Sequence, residues 1–115
     1  MITLWHNPRC SKSRAALKLL EDAGLQINVR RYLDDAPDQA ELRGLIGILG
    51  VRAIDMMRVK EPEFAAMGLS ESDNDDTLIA AMSARPKLIE RPIAITSDTA
   101  VIGRPPERVL DIAPA

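Results

Sequence analysis

The chain has 115 residues and a net charge of −2 from 15 basic and 17 acidic side chains, which is the size and balance of one soluble domain. Hydrophobic residues make up 46% and charged residues 28%, so the composition excludes a disordered protein and predicts a real core. The pI of about 5.4 argues against nucleic-acid binding, which needs an excess of Lys and Arg. Without a signal peptide or an apolar run of roughly 20 residues, the chain is predicted to be cytoplasmic and free of membrane contact.

The first third of the chain has a strand, helix, strand pattern. Residues 2–5 form a short apolar run that predicts the first strand. Apolar residues at helical spacing then predict a helix from about Ser11 to Ala23, and Gly24 follows at the position where helices often stop. A second strand is predicted over residues 27–32, with its end near Asp34 and Asp35.

The middle of the chain is predicted to be helical. Asp38 and Glu41 have the spacing of a capping box, which predicts the start of a second helix. Apolar residues at helical spacing continue this helix to Gly50. Residues 52–58 have room for a further helical turn. The acidic, polar stretch over residues 70–76 suits a loop and the start of another helix.

Pro86 ends that helix, and the rest of the chain is predicted to form a β-hairpin and a short helix. Residues 93–96 and 100–102 form the two strands of the hairpin, and Pro105 and Pro106 open the C-terminal helix.

This order of elements predicts an α/β protein with a mixed four-stranded sheet. A strand-helix-strand unit gives two parallel strands, and the later hairpin adds antiparallel ones. The order is that of a thioredoxin-like fold. We therefore expect one domain over residues 1–115, with a helical insert of about residues 38–85 between the second and third strands.

Cys10 is the only cysteine of the chain, and it lies between the first strand and the first turn of the first helix. Free backbone N–H groups and the positive end of the helix dipole favour a thiolate at such a position. Arg9, Lys12 and Arg14 add positive charge if their side chains turn inward. The alternative is a small buried hydrophobic residue, but the polar loop around Cys10 favours a reactive thiol.

The spacing of residues around Cys10 excludes several kinds of chemistry. A phosphatase-type loop needs an arginine at the sixth position after the cysteine, where this chain has Ala16. A dithiol mechanism needs a second cysteine at the position of Ser13. Metal binding is not expected, because His6 and Cys10 are the only strong soft ligands. His6 is interpreted either as a hydrogen-bonded residue at the strand end or as a group that helps to hold the thiolate.

Three segments in the expected order resemble the glutaredoxin-coupled arsenate reductase family of thioredoxin-fold proteins. They are His6-Asn7-Pro8-Arg9-Cys10-Ser11-Lys12-Ser13-Arg14, Leu88-Ile89-Glu90-Arg91-Pro92-Ile93 and Ile102-Gly103-Arg104-Pro105-Pro106-Glu107. The resemblance covers essentially the whole chain, and it is closer still to an uncharacterised bacterial branch of arsenate-reductase-like proteins.

The resemblance implies that Cys10 is the catalytic nucleophile and that three arginines, Arg58, Arg91 and Arg104, bind the oxyanion. Cations opposite an arsenate dianion would reduce its repulsion for an attacking thiolate. His6, Ser13 and Arg14 are expected to support the site. Pro92 is expected to follow a cis peptide bond beside the cysteine. Characterised members read Cys-Gly-Thr-Ser where this chain has Cys10-Ser11-Lys12-Ser13, so the first helical turn differs in charge.

The resemblance also implies the reaction and its partners. The Cys10 thiolate attacks arsenate, glutathione displaces the adduct as a mixed disulfide, and glutaredoxin restores the thiol with release of arsenite. Glutathione acts as co-substrate, and no bound cofactor or metal is expected. The external thiol follows from the absence of a second cysteine.

Two other functions remain open from the sequence. The fold also resembles the Spx-type regulators that contact RNA polymerase, although Ser13 replaces the second cysteine of their redox switch. The chain could instead be a thioredoxin-like redox protein that does not act on arsenate and whose cysteine becomes glutathionylated.

Overall fold

The computed structural model describes residues 1–112, so the last three residues of the predicted domain lie outside the described part. The chain divides into two compact units. The first contains residues 1–35 and the chain from Arg91 onward, and the second contains residues 36–90. Within residues 1–112, no helix has both the length and the apolar character needed to cross a membrane.

The first unit contains a four-stranded sheet in the order β2, β1, β3, β4. Its elements are β1 (Ile2–Trp5), α1 (Ser11–Asp22), β2 (Ile27–Arg30), β3 (Ile93–Ile95), β4 (Ala100–Ile102) and a C-terminal 3-10 helix (Pro106–Ile112). Strand β1 is parallel to β2 and antiparallel to β3, and β3 is antiparallel to β4. The predicted fold class, a mixed four-stranded α/β sheet, is confirmed.

The core of the first unit lies between the sheet, α1 and the C-terminal 3-10 helix. Alternate residues of β1 point to this face, so Ile2 and Leu4 are buried there against Ala16 and Leu20 of α1. Val109 of the 3-10 helix is fully buried in the same cluster. Burial of each large aliphatic side chain contributes about 1.5–3 kcal/mol, and this packing holds α1 against the sheet.

The second unit is helical, as the sequence predicts for this segment. It contains α2 (Gln39–Leu49), α3 (Pro62–Ala66), α4 (Asp75–Ala84) and the 3-10 helices Ala53–Met56 and Pro86–Leu88. The predicted capping box is present: Asp38 accepts from the Glu41 N–H, and Glu41 accepts from the Asp38 N–H. Gly50 ends α2 with a φ of 67°. Helix α3 was not predicted from the sequence.

The predicted length of the second strand is wrong. Strand β2 ends at Arg30, because the N–H groups of Asp34 and Asp35 both donate to the Arg31 carbonyl and close a turn. Tyr32 was expected to continue the strand, but it is buried with its ring stacked near that of Trp5, at a centroid distance of 6.3 Å.

The hairpin of β3 and β4 continues beyond its last ladder pair. Ile93 pairs with Ile102, and the Gly103 N–H then donates to the Pro92 carbonyl at 2.8 Å. A Cβ atom on Gly103 would lie 2.8 Å from side-chain carbons of both Pro92 and Val109. Only glycine therefore fits at this position without displacing a neighbour.

We predict that Gly103→Ala lowers the free energy of unfolding by about 1–3 kcal/mol, because the added methyl group overpacks a rigid proline and a buried valine. Gly47→Ala is the matched control, since a Cβ there meets no atom within 4 Å. It lies inside α2 and should be stabilising by about 0.5–1 kcal/mol. Urea unfolding measures both variants, and an unchanged stability of Gly103→Ala would refute the packing argument.

Candidate functional site

Three chain segments meet at one edge of the sheet. Trp5 at the end of β1 pairs with Ile93 at the start of β3, and Ile93 pairs with Ile102 at the end of β4. The loop that follows β1, the residues that precede β3 and the residues that follow β4 therefore share this edge. These are the segments that carry Cys10, Arg91 and Arg104.

The loop before Cys10 is held by local hydrogen bonds. The Cys10 N–H donates to the Asn7 carbonyl at 3.0 Å, and the Arg9 N–H donates to the Asn7 side-chain oxygen at 3.0 Å. The Arg14 guanidinium donates from Nη1 to the Pro8 carbonyl at 2.9 Å. Arg14 thus supports the loop backbone from the first turns of α1.

Cys10 is the N-cap residue of α1, with an extended backbone at φ −95° and ψ 123°. Its partly buried side chain forms no regular capping hydrogen bond. Burial alone would raise the pKa of the Cys10 thiol. The backbone N–H groups of Ser13 and Lys12, the Ser13 hydroxyl and the charge of Arg104 outweigh burial, so the pKa is lowered. The sulfur is therefore biased toward the nucleophilic thiolate.

Ser13 connects the loop to the sulfur. It is completely buried, and its hydroxyl oxygen accepts from the Asn7 N–H at 3.4 Å, a long hydrogen bond. Its hydroxyl and backbone N–H both lower the pKa of Cys10. Ser13 lies where a dithiol protein would have its second cysteine, and here it donates a hydrogen bond to the sulfur of Cys10.

Arg91 and Arg104 lie across from each other at the end of the extended hairpin. Nε of Arg104 donates to the Arg91 carbonyl at 3.1 Å. Nε of Arg91 is buried and has no hydrogen-bond partner within residues 1–112. The Arg91–Pro92 peptide bond is cis, as the resemblance implies, and so is the Arg104–Pro105 bond. The hairpin therefore places Arg91 and Arg104 at the edge where Cys10 lies, and Arg104 is the one that acts on the pKa of Cys10.

Arg58 belongs to the second unit. Its Nη1 lies 3.0 Å from a carboxylate oxygen of Glu61, and its Nε lies 3.5 Å from one of Glu90. Its charge is thus balanced by two carboxylates of its own unit. A role for Arg58 in binding the oxyanion stays a prediction.

His6 is buried, with 6% of its surface exposed. Burial lowers its pKa, and the charges of Arg31 and Arg14 lower it further, while the Ser13 backbone has a weaker opposite effect. The imidazole is therefore held neutral at neutral pH and does not add positive charge beside the thiolate. Its Nδ1 atom has no hydrogen-bond partner in the described part of the chain.

The sequence neighbours of Cys10 contribute less positive charge than expected. The cation that lowers the pKa of Cys10 is Arg104, from the far end of the chain, whereas Arg14 donates to the Pro8 carbonyl. Gly103 was part of a recognised motif, but the sequence analysis assigned it no role. The only signal for its role was a glycine directly before an Arg-Pro pair.

We predict that Ser13→Ala raises the pKa of Cys10, because the thiolate loses a hydroxyl donor while burial remains. The pH dependence of alkylation by iodoacetamide measures this, and its midpoint should move to higher pH in the variant. Ser11→Ala is the matched control, since Ser11 is exposed and lies in the same helical turn. Equal midpoints for the two variants would contradict the assigned role of Ser13.

Curated relatives cover nearly the whole chain. The arsenate reductase of Neisseria meningitidis serogroup A is 46% identical over 110 residues, which are 94% of this chain and 94% of that protein. The arsenate reductase of Haemophilus influenzae is 42% identical over 113 residues, which are 96% of this chain and 97% of that protein.

A solved structure and a family profile agree with these relatives. The arsenate reductase from Vibrio cholerae has a TM-score of 0.92 and 45% identity, and the match covers 96% of each chain. The profile of the ArsC family matches residues 5–112, which include Cys10 and all three predicted arginines. The chain therefore belongs to the ArsC family.

Proposed function

We propose that the protein is a cytoplasmic arsenate reductase in which Cys10 is the nucleophile and glutathione and glutaredoxin supply the reducing thiols. The observation that carries this proposal is the convergence at one sheet edge of a thiol with a lowered pKa and two arginines. Arg104 lowers the pKa of Cys10, and its Nε donates to the backbone carbonyl of Arg91, which supports a shared role for the two arginines beside the thiolate.

In the first step, the Cys10 thiolate attacks the arsenic atom of arsenate. An S–As bond forms, and one arsenate oxygen leaves as water after protonation. Arg91 and Arg104 bind the remaining oxygens and stabilise the negative charge on them. The Nε–H of Arg91, which has no partner among residues 1–112, is a donor that an arsenate oxygen would satisfy.

In the second step, the thiolate of glutathione attacks the Cys10 sulfur. An S–S bond forms, and the electron pair of the S–As bond stays on arsenic, which leaves as arsenite. Two thiol sulfurs are oxidised to a mixed disulfide, and As(V) is reduced to As(III). A glutaredoxin thiol then attacks the glutathione sulfur and releases the Cys10 thiolate.

The choice of arsenate is supported by relatives with 42–46% identity that carry the name arsenate reductase. The need for an external thiol is supported by the single cysteine of the chain. Glutathione and glutaredoxin maintain reduced thiols in the cytoplasm, which supports that compartment for the reaction. Ser11 and Lys12 favour a second candidate, a thiol reductase for a different substrate, because Lys12 changes the charge of the first helical turn.

We predict that Cys10→Ser abolishes arsenate-dependent oxidation of NADPH in an assay with glutathione, glutathione reductase and glutaredoxin. Arg91→Ala and Arg104→Ala should each lower kcat/KM for arsenate by roughly 10²-fold, the effect of removing one donor to a developing oxyanion. Arg108→Ala is the control arginine, because its side chain is exposed and, within residues 1–112, its one ion pair is a 3.8 Å contact with Asp111.

The assay distinguishes the two candidates. Arsenate-dependent turnover that depends on Cys10 would establish the reductase, with Lys12 as a tolerated change. An absence of turnover in a protein whose Cys10 pKa is still low would mean that the site serves another substrate. Substantial turnover by Cys10→Ser would falsify both.

A further inference from the structure

A charged cavity lies beside the loop that carries Cys10, in the first unit. Its volume is about 320 Å³, within the range of small-molecule sites of about 300–1,000 Å³. One wall is formed by Asn7, Pro8 and Arg9, and the other by Arg31, Leu33 and Asp34. We refer to it as the β2 cleft, because its second wall is the turn after β2.

Three charged side chains line the β2 cleft. Within residues 1–112, the side chains of Arg9, Arg31 and Asp34 form no ion pair or hydrogen bond with one another or with other residues. The buried ring of His6, whose Nδ1 also lacks a partner, lines the cleft as well. The cleft thus presents two cations and one carboxylate whose charges are not satisfied inside the protein.

The backbone of both walls is held by contacts that do not involve the charged side chains of the cleft. Arg30 pairs with the Asp35 carboxylate at 3.3 Å and donates to its carbonyl at 3.1 Å, which holds the turn after β2. Of the two consecutive aspartates, only Asp34 faces the cleft. The opposite wall is held by the bonds of Asn7 and Arg14 described above. The backbone of both walls is thus held before a ligand binds, which reduces the entropy lost on binding.

We propose that the β2 cleft binds glutathione, as an acidic peptide whose two carboxylates pair with Arg9 and Arg31 and whose ammonium group pairs with Asp34. This inference rests on the proposed dependence on glutathione. The peptide has two carboxylates and one ammonium group, which is the charge pattern of the cleft with opposite sign. Leu33, 38% exposed, and Pro8 offer apolar surface to its methylene groups.

The position of the cleft suits delivery of a thiol to Cys10. Arg9 directly precedes Cys10, and Asn7, on the same wall, accepts the Cys10 N–H. A peptide held at both ends along this wall lies against the loop that carries the nucleophile. An arsenate dianion is a poorer occupant, because the Asp34 carboxylate would repel it.

The test uses S-methylglutathione, which cannot form a disulfide, and the full chain with Cys10→Ser. Titration followed by the backbone amide signals of residues 31–34 should show saturable binding. Arg31→Gln and Asp34→Asn should each weaken binding roughly three- to tenfold, the effect of one partly exposed charged contact. Arg108→Gln is the matched control and should bind like the parent.

A desamino analogue of S-methylglutathione separates the two ends of the peptide. Asp34→Asn should not weaken binding of this analogue, whereas Arg31→Gln should weaken it as before. Saturable binding that none of the cleft variants alters, or the absence of binding, would overturn the assignment of the cleft.

Turnover separates this inference from the proposed function. Arsenate reduction with a KM for glutathione that Arg31→Gln leaves unchanged would refute the cleft and keep the reductase. Binding of S-methylglutathione in the cleft without arsenate reduction by the parent chain would support the cleft and refute arsenate as the substrate.

Discussion

The site depends on the close approach of Gly103 to Pro92. The hydrogen bond between them adds one residue pair to the end of the β3–β4 hairpin. Because Gly103 has no Cβ, Val109 can also pack against it. Arg91 and Arg104 directly precede Pro92 and follow Gly103, respectively. A shift at this contact would move both arginines and the C-terminal helix together, so the geometry of the proposed oxyanion site and the core of the first unit depend on the same few atoms.

The chemistry at Cys10 results from two opposing effects. Partial burial disfavours a charged sulfur, and the donors of the first helical turn favour it. Most of these donors are backbone N–H groups, which any sequence would supply at the start of a helix, so the specific contributions of this chain are the Ser13 hydroxyl and the charge of Arg104. Lys12 differs from the residue of characterised family members, yet the group through which it acts on the sulfur is its backbone N–H.

Features that depend on neighbouring residues could be predicted from the sequence, whereas contacts between distant parts of the chain could not. The capping box of Asp38 and the strand-helix-strand start depend on residues a few positions apart, and both are present. The end of β2 depends on which N–H groups donate to the Arg31 carbonyl. Spacing along the first helix cannot predict that the cation acting on Cys10 is the distant Arg104. Arg91 and Arg104 were identified only through resemblance, because nothing in their local sequence indicates that the hairpin aligns them.

The placement of Cys10 at the N-cap also affects the bond that it forms. A sulfur that is stabilised as an anion is a good leaving group, because the charge released when its bond breaks returns to the same donors. The features that make Cys10 nucleophilic therefore also weaken its adducts with arsenic or with another sulfur. In the mixed disulfide the sulfur is neutral, so the helix has no negative charge at its positive end. The fold thus stabilises the free thiolate relative to that of an ordinary cysteine, and this favours the proposed step that regenerates it.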